Sequence, residues 1–470
     1  MFTRSVMILA DGARADVFEE LLAAGRLPHI ARHIVSRGAY RRGVTAFPST
    51  TGPAYMPFLT GCLPATCNVP GIRWMDKAVY GRGPKRKGRR SYVGIETFRI
   101  NADMRPEIAT LFALLPRSYS VFNAVCRGTR LVRNLTRVIR IWYWYYAHLT
   151  DRWGFVDAAA TRKLTALLSR DFRFAFIVFP GIDEYAHLAT PRHSRVLAAY
   201  EAVDRAVGMI AARLRRLGRY DETLLWVVSD HGLSATHTHC CLNTLLERRG
   251  VRTLYYPLIY RGGCVAANMM SGNGMTHLYF RHPNGWEHPF ADDELTARYP
   301  WLIDDLFGQP AVDLVAMRAA DGWIHIRSRR GRARLHLDGT TVSYRVQGTD
   351  PFGYASLPER LGADEVLART IDTDYPDGLY QLAHLFTSPR TGDVVVSATP
   401  GYDLRDCYEI PAHKGSHGSL HREHMHVPIA CSAPLANRPM RTVDVFSTLL
   451  TAMGHALPTG IDGSAIPLSS

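Results

Sequence analysis

Several things are missing from this chain. No apolar run reaches the ~18–20 residues that a membrane-spanning helix needs. No block of low complexity or internal repeat interrupts it. Its 8 cysteines include no C-x-x-C pair, and Cys240 and Cys241 are adjacent. That favours the reduced thiols of a cytosolic protein over a disulfide framework. The first residues, Met1-Phe2-Thr3-Arg4-Ser5-Val6-Met7-Ile8-Leu9, meet Asp11 too early for a signal peptide, so they read as a first core strand and the expected location is cytoplasmic. Acidic residues are the minority, 42 against 56 Lys and Arg, for a formal charge of +14. Such a balance favours an anionic partner: phosphate, nucleic acid or an acidic membrane surface. No nucleic-acid-binding motif accompanies the charge, so nucleic acid is not expected.

What is present is a globular chain of 470 residues, 47% hydrophobic, long enough for one large core with insertions or for two domains. Apolar runs ending in polar clusters set its rhythm. Ser5 to Ala10 stops at Asp11-Gly12, and Phe174 to Phe179 leads to Asp183 and His187. Thr223 to Val228 stops at Ser229-Asp230-His231-Gly232. A strand-like Gly43 to Ala46 precedes Phe47-Pro48-Ser49-Thr50-Thr51-Gly52, three hydroxyls in a row. Val427 to Cys431 follows His417. In open α/β sheets, ligands gather beyond the carboxyl ends of the strands. The expected fold is therefore α/β, with a central, mostly parallel sheet flanked by helices. Arg195 to Leu217 has the apolar stripe of a long helix closed by Gly218. From about Arg252 the strand-then-helix rhythm stops, and Val312 to Val346 reads as a β-meander. This gives a first part of the core over 1–251, an inserted α+β cap over 252–390 and a closing part over 391–470.

Each polar cluster has a structural alternative. Asp11 and the hydroxyls could be helix N-caps, and Asp183 with His187 could be a cap beside a surface histidine. Together, however, Asp11, Thr51, Asp183, His187, Asp230, His231 and His417 offer oxygen and nitrogen ligands for two divalent cations. Mixed imidazole and carboxylate ligands favour Zn²⁺, with Mn²⁺ or Mg²⁺ as alternatives. Two further stretches carry charge. Arg82 to Arg90 reads as a mobile basic loop. Arg127 to Trp153 reads as a cationic helix ending in Trp142-Tyr143-Trp144-Tyr145-Tyr146. It suits either a peripheral membrane contact or a cover over the sheet with its arginines outward.

The set resembles the alkaline phosphatase superfamily, and within it the type I phosphodiesterase/nucleotide pyrophosphatase family. The resemblance lies in Leu9-Ala10-Asp11-Gly12, Phe47-Pro48-Ser49-Thr50-Thr51 with Thr60-Gly61, Gly181-Ile182-Asp183-Glu184-Tyr185-Ala186-His187, Ser229-Asp230-His231-Gly232 and Gly415-Ser416-His417-Gly418. It implies an alkaline phosphatase-like core. One metal would sit on Asp183, His187 and His417, and a second on Asp11, Asp230, His231 and Thr51. Thr51 would be the nucleophile and pass through a phospho-threonine. After the nucleophile the family reads Phe-Pro-Asn-His, where this chain has Gly52-Pro53-Ala54-Tyr55. The family's phosphate-binding asparagine has no counterpart near Gly71-Ile72-Arg73-Trp74, which leaves Arg73 as the substrate-binding candidate. An arginine there would neutralise a dianionic phosphate.

The expected function is a two-metal hydrolase of phosphate esters, with a phosphodiester or pyrophosphate favoured. The alternatives are a phosphomonoesterase, including one acting on a lipid-linked phosphate at a membrane surface, and a non-enzymatic basic protein that binds anions or membranes. Thr51-Gly52-Pro53-Ala54 lacks the Cys/Ser-x-Pro-x-Arg context of a sulfatase.

Overall fold

A sheet of six strands carries the chemistry-bearing residues. The computed structural model describes every residue except Met1, Pro84, Asp406, Cys407, Glu409 and Ser470, and of Arg86 the backbone alone. The strands are β1 (Arg4–Ala10), β2 (Ala39–Val44), β3 (Ser118–Val121), β4 (Phe174–Phe179), β5 (Thr223–Val228) and β6 (His426–Cys431). Their order is β2-β6-β5-β1-β4-β3. β1 lies parallel to β4 and β5, and β3 parallel to β4. β6 runs antiparallel to both β2 and β5. A strand reversed against both neighbours leaves those neighbours codirectional. The ends of five strands and the entry to β6 therefore share one edge.

β4 and β5 are buried along their whole length, and β1 all but Arg4. This is the continuous apolar pattern of strands covered on both faces. The helices used below are α1 (Ile139–Thr150), α2 (Trp153–Leu167), α3 (Gly181–Ala189), α4 (Ser194–Arg216) and α5 (Thr442–Ala452). α4 buries Val196, Ala199, Tyr200, Val203, Val207, Ile210 and Leu214, as its periodicity predicts. Among the described residues no helix is long and apolar enough to cross a membrane.

A second sheet has nine strands, ordered Arg360–Gly362, Thr341–Gln347, Arg332–Asp338, Ile324–Ser328, Val312–Arg318, Val394–Ala398, Met275–Phe280, Ala266–Ser271 and Thr253–Leu254. The expected meander forms its first half. Val394–Ala398, assigned from sequence to the closing part of the core, instead pairs here with Val312–Arg318 and Met275–Phe280. The chain rejoins the first sheet at β6.

Three local expectations are corrected. The strand before the hydroxyl run is Ala39–Val44 rather than Gly43 to Ala46. The basic stretch after Arg82 is not all loop: Arg89–Ser91 is a strand paired with Arg73–Met75, and Arg90 is buried against Asp103 at 2.7 Å. The cationic helix starts only at Ile139. Upstream of it Arg127 sinks its guanidinium onto the carbonyls of Asn101, Met104, Arg105 and Ile108. Asn134 bridges to Ser120 at the sheet edge.

Candidate metal centre and substrate cavity

Asp11 follows β1, and its N–H donates to Phe179 O at 3.0 Å; Asp183 N–H in turn donates to Asp11 O at 3.1 Å. The two strand ends are thus stitched together. Gly12 makes the approach possible. At φ +73°, a Cβ there would stand 2.7 Å from Leu233 Cδ1 and 2.8 Å from Asp183 Cβ. Asp230 and His231 follow β5. His417 arrives from the other direction. Gly415–Ser416 pairs with Ser234 and Ala235, just beyond His231. His417 itself exchanges backbone bonds with the hairpin around Gly272 and Gly274.

Neither capping alternative holds. Helix Ala15–Ala23 takes Arg14 as N-cap without a side-chain bond, and Gly52 opens the turn Pro53–Tyr55. The three hydroxyls part company: Ser49 donates to Ser419 O at 2.9 Å, and Thr50 Oγ1 is buried without a partner. Thr51 Oγ1 stands 3.4 Å from Asp11 Oδ1 and 3.0 Å from His231 Nε2.

The histidines face the centre in a common way. Nδ1 of His187 donates to Gly415 O at 2.8 Å, that of His231 to Gly232 O at 3.1 Å and that of His417 to Ser49 O at 2.9 Å. A backbone acceptor on Nδ1 fixes the tautomer and leaves the Nε2 lone pair for a ligand. The Nε2 atoms point at the carboxylates: His187 to Asp183 at 3.4 Å, and His231 to Asp230 at 3.2 Å and Asp11 at 3.5 Å. His417 Nε2 is 4.0 Å from Asp183, and its ring stacks on His231 at 3.8 Å. Ligand atoms of Asp183, His231 and His417 form one tight group, and those of Asp11, Asp230 and His231 another. His231 is common to both, and His187 reaches the first group through Asp183.

The electrostatics show strain that a cation would relieve. Burial, with Asp183 adding to it, pushes Asp11 up to about 8. Burial and the other two carboxylates push Asp230 far above its usual range. Burial also raises Asp183, but His187 beside it overrides this and holds it low, and His187 is lifted to about 10. Desolvation drops His231 to about 4 and holds His417 well below the ordinary histidine value. Asp183 Oδ1 and Asp230 Oδ2 are buried without a hydrogen bond. Crowded carboxylates and lone-pair-bearing imidazoles, out of water, fit divalent cations.

Above this floor lies a cavity of about 320 Å³, reached by Asp11, Thr51, Asp183, His187 and His417. Arg73 lines it too, but its Nε donates to Ser91 Oγ at 3.3 Å and its guanidinium lies over Tyr256. Four lining residues escaped the sequence reading. Tyr55 donates its hydroxyl to Asp11. Asn273 bridges to His417 from a hairpin far away in sequence. The His413 ring lies 4.4 Å from that of His187. Arg140 enters from α1. Only Tyr55, in the tetrapeptide where the chain departs from the family, left a trace that sequence reasoning could have followed.

A family model described as type I phosphodiesterase / nucleotide pyrophosphatase matches residues 5–420. No curated protein matches by sequence. Among solved structures, murine ectonucleotide pyrophosphatase/phosphodiesterase 5 aligns with a TM-score of 0.60 at 14% identity, over 97% of this chain and 96% of that one. An inactive threonine-to-alanine variant of that murine protein, in complex with AMP, aligns at 0.59 and 13%, with the same coverage. Phosphonoacetate hydrolase from Sinorhizobium meliloti 1021, in complex with phosphonoformate, aligns at 0.55 and 17%, over 96% of each chain. At these identities the likeness speaks for the fold.

Proposed function

The chain belongs to the type I phosphodiesterase/nucleotide pyrophosphatase family, in the alkaline phosphatase superfamily of metal-dependent phosphoric ester hydrolases, and from that premise we propose that it cleaves a phosphodiester or pyrophosphate through Thr51. One observation carries the reading. Of three consecutive hydroxyls, that of Thr51 alone meets a carboxylate and an imidazole of the floor: Ser49 donates to a backbone carbonyl, and Thr50, which also lines the cavity, has no hydrogen-bond partner. The murine variant, inactive as a threonine-to-alanine change, supports a threonine in this role.

Asp183, His187 and His417 would hold one divalent cation, and Asp11, Asp230, His231 and Thr51 the other, with zinc favoured by the imidazoles. When bound, such cations lower the pKa of a coordinated hydroxyl and offset charge on the phosphoryl oxygens. The protein's own part is orientation. Tyr55 fixes Asp11, Asp11 aims the Thr51 hydroxyl, and backbone carbonyls lock the imidazoles. The Thr51 hydroxyl gives up its proton as Oγ1 attacks phosphorus in line, the ester oxygen leaves with the bonding pair and takes up a proton, and Thr51 becomes phosphorylated. Water entering from the vacated side then breaks the threonine ester and restores the hydroxyl.

The test combines metal analysis with paired hydrolysis of bis(p-nitrophenyl) phosphate and p-nitrophenyl phosphate, and acid trapping of the phosphorylated peptide. Two metals per chain, faster diester turnover and phosphate on the Thr51 peptide are expected. Faster monoester turnover would move the assignment to a phosphomonoesterase. No metal uptake from zinc or manganese would end the hydrolase reading.

A second reading has its own observation. Leu131, Val132, Val138, Trp142 and Leu149 are 54–83% exposed beside exposed Arg130 and Arg137. An apolar and basic rim next to the cavity suits an amphiphilic phosphate ester taken from an anionic bilayer. Vesicles with and without phosphatidylserine test it: sedimentation only with the anionic lipid, lost in Leu149→Glu, is expected. The reading places the protein in the cytoplasm, in keeping with the free thiols of all its described cysteines.

A further inference from the structure

α1 puts one face on the cavity, through Arg140, Ile141, Trp144, Tyr145 and His148. Of these, Arg140 is out of place by the ordinary rules of burial. It is 8% exposed. Its side chain makes one hydrogen bond among the described residues, from Nη2 to Thr97 Oγ1 at 3.3 Å, and its guanidinium lies 5.5 Å from the Phe98 ring centre. Among the described residues no carboxylate pairs with it. Three of the four other equally deep cations among the described residues are matched: Arg441 holds Asp377 at 2.7 Å, Arg90 holds Asp103 at 2.7 Å and Lys77 holds Asp393 at 2.8 Å, while Arg89 lies over the Tyr260 ring. A buried guanidinium with five donors and one weak acceptor is costly to keep unless an anion visits it. Desolvation depresses its pKa, in the direction expected of an unpaired cation.

Its neighbours say where that anion comes from. The ring of Phe98 lies against Arg140, and the cavity that both Arg140 and Thr51 line also has Ile95, Phe122, Ile141 and Trp144 in its walls. On the side towards the floor, Tyr55 lies within electrostatic reach of Arg140 and donates its hydroxyl to Asp11. A molecule spanning from Thr51 to Arg140 would therefore have a reacting phosphate at one end, an apolar body and an acceptor at the other.

We propose that Arg140 receives a second anionic group, a carboxylate or phosphate, carried by the organic portion of the substrate. This rests on the phosphate-ester reading and narrows it to esters that are anionic at both ends. The guanidinium would form a fork onto the distal anion, which an ammonium cannot reproduce.

The experiment compares three diesters with metal-loaded protein. They are bis(p-nitrophenyl) phosphate and its analogues with one nitro group replaced by carboxylate or by phosphate. The wild type is expected to prefer at least one charged analogue by tenfold or more in kcat/KM. Arg140→Gln should erase that ratio, and Arg140→Lys should keep part of it. The analogue preferred identifies the anion. Absence of a preference in the wild type overturns the proposal. So does an equal loss on all three substrates, which would mean that Arg140 serves the reacting phosphate alone. Calorimetry of the metal-free protein with 4-carboxyphenyl phosphate, 1,4-phenylene bisphosphate and phenyl phosphate supplies a readout without turnover. Tighter binding of a doubly anionic ligand by wild type than by Arg140→Gln is expected. Equal affinities, or no binding, count against Arg140. If the loaded protein cleaves no ester, the hydrolase reading falls by itself, and the calorimetric ratio still decides the role of Arg140.

Discussion

The two sides of the cavity are built on opposite principles. The floor gathers Asp11, Asp183, Asp230, His187, His231 and His417, and among the described residues no lysine or arginine forms a salt bridge with its carboxylates. The wall formed by α1 is largely aromatic and apolar and holds a deep cation, Arg140, with which no carboxylate pairs among the described residues. Each side is uncompensated, and in the opposite sense. Excess buried anion calls for metal, and an unmatched guanidinium calls for an anion. A phosphate ester with a second negative group supplies what the wall needs and meets at the floor the cations that the carboxylates attract. Had the two been packed together, as Lys77 and Asp393 are at 2.8 Å, they would have neutralised one another into a structural ion pair. Separation keeps both available to a substrate.

The sharpest way to break this comparison is to silence the floor without emptying it. Thr51→Ala should lower kcat by about 10³-fold or more while metal content, read by plasma emission, stays near two per chain; retained turnover would remove Thr51 from the chemistry. Emptying the floor comes next. His417→Ala and Asp183→Ala should each cost the same single metal, and loss of different metals would redraw the partition, for which the placement of His231 between both groups is the specific risk.

A carboxyl outside the floor sharpens the contrast. Asp157 on α2 is buried, accepts a bond from Gly181 N–H at 3.2 Å, and is pushed up to about 7 by burial. Below pH ~4 it is neutral folded or unfolded. Between pH ~4 and ~7 only the unfolded chain ionises, so stability falls as pH rises through that window and is level above it. Asp157→Asn should remove this fall, about 1.4 kcal/mol for each pH step of one across the window, in denaturant titrations at pH 5 and 8. Added zinc should not change that difference if Asp157 lies outside the metal centre. The smallest effect is expected from Tyr55→Phe. Loss of the hydroxyl on Asp11 should weaken metal affinity or activity about 10-fold, and no change would show that Asp11 needs no such support.

Much of the floor was legible because it is local. Asp11, Asp183, Asp230 and His231 sit within a few residues of strand ends, and an apolar run stopping at a carboxylate survives in any tertiary setting. Arg140 was not legible. It fell in a cationic stretch that suited a helix with its arginines outward, yet α1 begins only at Ile139, with Arg140 buried and Trp142 exposed. Val394–Ala398 misled for a related reason. A buried strand reads the same in either sheet, and partner choice depends on contacts hundreds of residues apart.

The sequence by itself determined the order of the apolar strands, the polar residues at their ends and the membership of a family whose motifs span the chain. These are properties of short segments, and burial and spacing write them into composition. Only the tertiary structure decided which hydroxyl of Ser49, Thr50 and Thr51 faces the floor. It alone also decided that Nδ1 of His187, His231 and His417 is held by a backbone carbonyl, that Asn273 and His413 join the cavity, and that Arg140 lines the same cavity as the carboxylates. Those outcomes depend on side-chain direction and long-range pairing, which no local pattern encodes.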